Sequence, residues 1–112
     1  MQDNESSSFD GTLQKLEALL AEAVELLREH GEQHWSGWLE RCRVGLKRHD
    51  SDALDQLFSA YGGTGSFSDF TLASRKGPDV SPADVAAVNH RLATLRTRCY
   101  SLAWELRQEL RR

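Results

Sequence analysis

Apolar residues recur along this chain in steps of three and four, and that spacing predicts helices nearly throughout. Leu13, Leu16, Leu20, Ala23 and Leu27 form one stripe, widened by Leu19 and Leu26. Asp10 is placed to cap it and Gly31 to stop it, so a first helix is expected from about Gly11 to His30. A second is expected from about Glu32 to His49, with Trp35, Trp38, Leu39, Cys42 and Leu46 on one side. Glu40, Arg41, Arg43, Lys47 and Arg48 make its polar side. Gly37 and Gly45 interrupt this pattern, each at about 1 kcal/mol relative to alanine, which implies close packing against a neighbour or an irregular turn. Asp50-Ser51-Asp52 reads as a turn with a capping group, launching a short third helix with Leu54, Leu57, Phe58 and Tyr61.

The third helix runs into Tyr61-Gly62-Gly63-Thr64-Gly65-Ser66-Phe67-Ser68-Asp69-Phe70, which ends it abruptly. Ser66 and Asp69 have the form of a second capping pair ahead of a short helix carrying Phe67, Phe70 and Leu72. Beyond a charged loop, from Ser74 to Val80, Ser81-Pro82-Ala83-Asp84 is the clearest helix start in the chain. The last helix then carries Val85, Val88, Leu92, Leu95, Cys99, Leu102 and Leu106, a seam suited to near-parallel packing of long helices. No stretch alternates with period two. The expected fold is all-α, a small bundle of about four helices with a glycine-rich helix–helix corner. Residues 1–9 are expected as a disordered leader and residues 10–112 as a single helical domain. Between Cys99 and Leu106 the last helix is apolar on more than one side, because Tyr100, Ala103 and Trp104 join the seam. Such a helix needs cover on more than one face, so Tyr100 and Trp104 are candidates for an oligomer or partner contact.

Composition narrows the picture. At 112 residues the chain has room for one modest core. No apolar run approaches the roughly 18 residues of a membrane span. The first residues are acidic and polar, unlike a secretion signal, so a cytoplasmic protein is expected. Cys42 and Cys99 fall on apolar helix positions, where a free thiol behaves as a small hydrophobe, and a disulfide between them is disfavoured in a reducing compartment. The formal net charge is -3, with acids concentrated in the first third and bases in the last. Two arrangements fit: first and last helices side by side with complementary flanks, or an exposed basic face for an acidic partner. The first is favoured, and nucleic acid is disfavoured as a partner.

Candidate chemistry is sparse. His30 and His34 stand four apart, but Gly31 between them breaks the helix that would align them, and no metal site is expected. No Gly-x-Ser-x-Gly elbow follows a strand, and neither cysteine sits beside a base at a helix start. No catalytic residue or cofactor is expected, and the balance leans away from an enzyme. The glycine segment keeps two readings. Gly62, Gly63 and Gly65 permit left-handed backbone, and Gly63, Thr64, Gly65 and Ser66 ahead of a helix start form amides suited to a phosphate or carboxylate. Equally, the glycines make a tight corner while Phe67 and Phe70 plug the core; no lysine follows as in a phosphate-binding loop of the Walker type.

Trp35-Ser36-Gly37-Trp38-Leu39, taken with the stretch from Leu57 to Phe70, resembles a family of small bacterial proteins of unknown function that pair a tryptophan-rich helix with a Gly-Gly-x-Gly-Ser-Phe-x-Asp loop. The resemblance covers about Leu19 to Leu72 and brings no catalytic residues. It implies a bacterial cytoplasmic protein, some relatives resembling companions of toxins or neighbouring enzymes. The leading expectation is a non-enzymatic protein–protein interaction module, immunity-like or regulatory, working with a protein partner or as a homodimer. Its contact surface would use Tyr61, Gly62, Gly63, Thr64, Gly65, Ser66, Asp69, Trp35 and Trp38, with Tyr100 and Trp104 at an oligomer contact. The alternative is a binder of small anionic ligands, or a minor enzyme, using the Gly62–Ser66 loop.

Overall fold

The computed structural model describes residues 4–61 and 82–110. Four helices occupy them: α1 (Asn4–Glu29), α2 (Gln33–Lys47), α3 (Ser51–Ser59) and α4 (Pro82–Leu110). Among the described residues there is no strand, and the molecule is a small all-α bundle. The glycine-rich corner itself lies outside the described residues.

Helical spacing translates directly into the core. Leu13, Leu16, Leu19, Leu20, Ala23 and Leu27 of α1 are buried, against Leu39, Cys42 and Leu46 of α2 and Leu54 and Leu57 of α3. From α4, Leu92, Leu95, Cys99, Ala103 and Leu106 complete the same cluster. α1 is the central element, packed on both α2 and α4, while α3 bridges α2 to α4. An ion pair joins Glu22, late in α1, to Arg91, early in α4. Phe9 and Leu13, early in α1, stand with Leu106 and Leu110 at the opposite end, so α1 and α4 run antiparallel. The first and last helices therefore do lie side by side with complementary flanks, as the charge distribution implied. Glu22 and Arg91 are each nearly half exposed, so their attraction is screened and contributes little to stability.

One boundary departs from the sequence expectation. α1 begins at Asn4, ahead of the expected start near Gly11. Phe9 supplies the reason: it lies four positions before Leu13 on the same stripe and packs partly buried against the core.

Both short connections reverse the chain by the same device. After α1, Gly31 takes φ +76°, its N–H donates to the Arg28 carbonyl (3.1 Å), and the Glu32 N–H donates to the Leu27 carbonyl (2.9 Å). This double closure satisfies the orphaned carbonyls of a helix end. After α2, His49 takes the left-handed position with φ 61°, its N–H donating to the Leu46 carbonyl (2.9 Å). The Asp50 N–H donates to the Gly45 carbonyl (2.9 Å), and the Asp50 carboxylate then accepts from the Asp52 N–H (3.0 Å), capping α3. Glu32 likewise caps α2 by accepting from the Trp35 N–H (3.2 Å).

The two glycines inside α2 are not alike. A Cβ on Gly45 would stand 2.6 Å from the Ala53 Cβ of α3, closer than two carbons can approach. Gly45 is therefore a contact between helices. A Cβ on Gly37 would meet only the Arg41 guanidinium, at an ordinary 3.6 Å. Of the two readings open for these glycines, close packing holds for Gly45 and not for Gly37.

Candidate functional site

Among the described residues, the large apolar side chains left exposed are Tyr100, Trp104 and Leu110, all on α4. Tyr100 and Trp104 are one helical turn apart and share a face, 43% and 51% exposed. Tyr100 is held in place by α3: its ring meets Phe58 edge-on (centroids 5.5 Å) and tilts against Tyr61 (5.0 Å). The Tyr61 hydroxyl donates to the Arg96 carbonyl of α4 at 2.8 Å, tying the end of α3 to the last helix. Burial pushes the Tyr61 phenol far above its ordinary range, so it remains a protonated donor. Arg107 lies over the Phe58 ring at 4.2 Å and pairs with Asp55, adding a cation–π contact to the α3–α4 seam. The outcome is a rigid aromatic shelf: Phe58 and Tyr61 beneath, Tyr100 on top, Trp104 beyond. Open grooves flank it, one lined by Tyr61, Arg96, Thr97, Tyr100 and Ser101, the other by Tyr100, Ser101, Trp104 and Glu105.

Trp35 and Trp38 are placed differently. Both pack half-buried against the core from α2, edge to face at 5.8 Å, with His34 edge-on to Trp35 at 4.7 Å. The Trp38 indole nitrogen is buried with no hydrogen-bond partner. The structure thus gathers Tyr61 and Tyr100 in one cluster and Trp35 and Trp38 in another, on α2. The remaining loop candidates, Gly62, Gly63, Thr64, Gly65, Ser66 and Asp69, lie outside the described residues.

Several reactive side chains among the described residues are occupied or sealed. Cys42 and Cys99 are free and buried; burial raises the Cys42 thiol to about 11 and the Cys99 thiol to about 12, so neither presents a thiolate near neutral pH. His30 Nδ1 donates to the Leu26 carbonyl at 3.0 Å, a local helix-end bond. Arg43 grips Glu40 through two bonds (2.9 and 2.6 Å), and that bonding holds the Glu40 carboxyl below its usual range. Among the described residues no group of three or more His, Cys, Asp or Glu side chains stands ready for a metal ion, and no helix is long and apolar enough to cross a membrane. Where the start of α1, the α2–α3 corner and the end of α4 meet, Phe9, Leu13, Leu46, Leu54, Leu106 and Leu110 line an apolar cavity of about 180 Å³. His49 and Asp50 sit at the same place. Sequence reasoning missed this hollow, which no residue type announces.

Residues 28–81 match the model of a family described as a domain of unknown function (DUF6966). The matched stretch takes in α2, α3 and both corners and ends just before α4. The resemblance to an uncharacterised family is borne out over that stretch. No curated protein and no solved structure matches the chain.

Proposed function

We propose that this protein is a non-enzymatic helical interaction module, a regulatory companion whose contact surface centres on Tyr100 and Trp104 of α4. One observation carries the reading. Two large aromatic side chains, half exposed and one turn apart, share a face of α4, and the Tyr100 ring is held against Phe58 and Tyr61, with Arg107 over Phe58. Aromatic residues with a polar handle are preferred interface anchors, and a pre-ordered ring loses little further freedom when a partner arrives. The sealed thiols of Cys42 and Cys99 favour a binding role over a nucleophilic one.

Site-specific photo-crosslinking in the producing cells tests it. A photoreactive residue at Trp104 should yield one discrete cross-linked protein product, and the same group at Glu25, exposed on α1, should yield none. No product from position 104, or the same products from both positions, overturns the reading.

A further inference from the structure

The inner seam of α4 is spent on the core, yet the helix carries a second seam on its opposite side. Ala86, His90, Ala93, Thr97, Tyr100 and Trp104 follow steps of four, three, four, three and four, and every one is exposed. Alternation of this kind keeps one straight line of side chains on a helix, here over about 27 Å of rise, and is the spacing by which two helices interlock. A helix face turned to water normally carries charge. This one has no Asp, Glu, Lys or Arg at any of the six positions, although α4 bears Arg91, Arg96, Arg98, Glu105 and Arg107 elsewhere. Size is graded too: two alanines with His90 between them at the N-terminal end, tyrosine and tryptophan at the C-terminal end.

A seam that widens in one direction is complementary to itself turned end for end. We infer that α4 pairs with α4 of a second copy of this chain, antiparallel about a two-fold axis, an inference that rests on the interaction-module reading. The register sets Ala86 against the partner's Trp104, His90 against the partner's Tyr100 and Ala93 against the partner's Thr97. The largest knob, Trp104, then meets an alanine and Tyr100 meets the mid-sized His90, so no two of the largest side chains collide along the seam. A parallel pairing instead stacks tryptophan on tryptophan and alanine on alanine, splaying the helices. No formal charge is stripped of water along the six-residue line. One helix pair makes a small interface, so the dimer belongs to the weak, exchanging class, with dissociation in roughly the micromolar range.

Sedimentation equilibrium of the full chain from micromolar to several hundred micromolar should show a reversible shift to twice the mass of one chain. Ala93→Glu and Trp104→Glu, both at exposed positions, should keep the helical circular dichroism and lose at least tenfold in self-affinity. Mild oxidation of Ala93→Cys mixed with Thr97→Cys should yield a covalent dimer joining the two variants, in excess over that from either variant alone. A chain that stays monomeric at every concentration overturns the inference. A dimer untouched by both glutamates, or one that cross-links equally within each variant, overturns it as well. Should the chain be monomeric while photo-crosslinking from position 104 still gives one discrete product with a different protein, the interaction-module reading survives alone; without that product both fall.

Discussion

The two corners of the bundle use one hydrogen-bonding scheme and opposite residue choices. At the α1–α2 corner a glycine, Gly31, occupies the left-handed position; at the α2–α3 corner a histidine, His49, does. The second corner has its glycine four positions earlier, at Gly45, inside the helix, where the Ala53 Cβ of α3 comes close. Glycine thus serves conformation at the first corner and contact at the second. The difference follows from what each corner joins. α1 and α2 are long and meet through leucines, so their separation leaves room for side chains and only the turn is demanding. α3 is a nine-residue helix that begins directly after Asp50, so its first turn is pulled against α2 and only a bare backbone fits beneath Ala53.

The largest effect expected from breaking this contrast comes from the contact glycine. Gly45→Ala adds a methyl where a rigid Cβ already stands, and the overpacking, about 1–3 kcal/mol, outweighs the roughly 1 kcal/mol of helix propensity gained. With the opposing Cβ only 2.6 Å away the cost falls at the upper end of that range, so a net loss of up to about 2 kcal/mol is expected, read as a fall in thermal midpoint of several degrees. Ala53→Gly in the same chain should return much of that loss, because it removes the opposing carbon. A double-mutant cycle with a coupling energy below about 0.5 kcal/mol would show that the contact is not what requires the glycine.

Next in size is the conformational glycine. Gly31→Ala meets no steric neighbour, so its cost is the left-handed backbone alone, about 1 kcal/mol after the entropy it removes from the unfolded chain. Ala53→Gly should not rescue it. Denaturant titrations of Gly31→Ala with and without Ala53→Gly check this, and a shared rescue would erase the distinction between the corners.

The same contrast explains what was legible beforehand. Gly31 announced its corner because glycine is the common left-handed residue after a helix, whereas His49 did not: histidine enters that region more often than most residues but still only occasionally. Gly45 was flagged together with Gly37, since sequence alone cannot tell which glycine has a neighbour. The buried stripes of α1 and α4 were legible because leucine at helical spacing has few other uses. At the candidate site, Tyr100 and Trp104 were visible as apolar residues outside the seam. Ala86, Ala93 and Thr97 escaped notice because small residues carry almost no hydrophobic signal; only their shared exposure on one line of α4 gives them meaning. Trp35 and Trp38 carried the reverse signal, large residues that suggested a surface and pack half-buried on the core.

A smaller and opposite change is expected at the histidine corner. His49→Gly relieves a left-handed penalty of about 1–2 kcal/mol while adding freedom to the unfolded chain, for a net gain of somewhat under 1 kcal/mol. Asp50 continues to close the turn through the Gly45 carbonyl and the Asp52 N–H, so the corner geometry has no reason to change. Thermal melts should therefore show a modest rise. A fall would mean that the His49 side chain, exposed at the rim of the apolar cavity, contributes packing that outweighs its backbone strain.

The smallest effect isolates helix propensity from both glycine roles. Gly37 lies in α2 with ordinary helical backbone and only the Arg41 guanidinium within van der Waals reach of an added methyl. Gly37→Ala therefore gains propensity without strain or clash. Its place near the start of α2 trims the usual increment to about 0.5 kcal/mol, because residues early in a helix are fixed by fewer backbone bonds. Set beside Gly45→Ala, the identical chemical change on the same helix should carry the opposite sign. Equilibrium unfolding of the two single variants decides it: if both destabilise, Gly37 has a neighbour or a bend of its own, and if both stabilise, the approach of Ala53 to Gly45 relaxes at no cost.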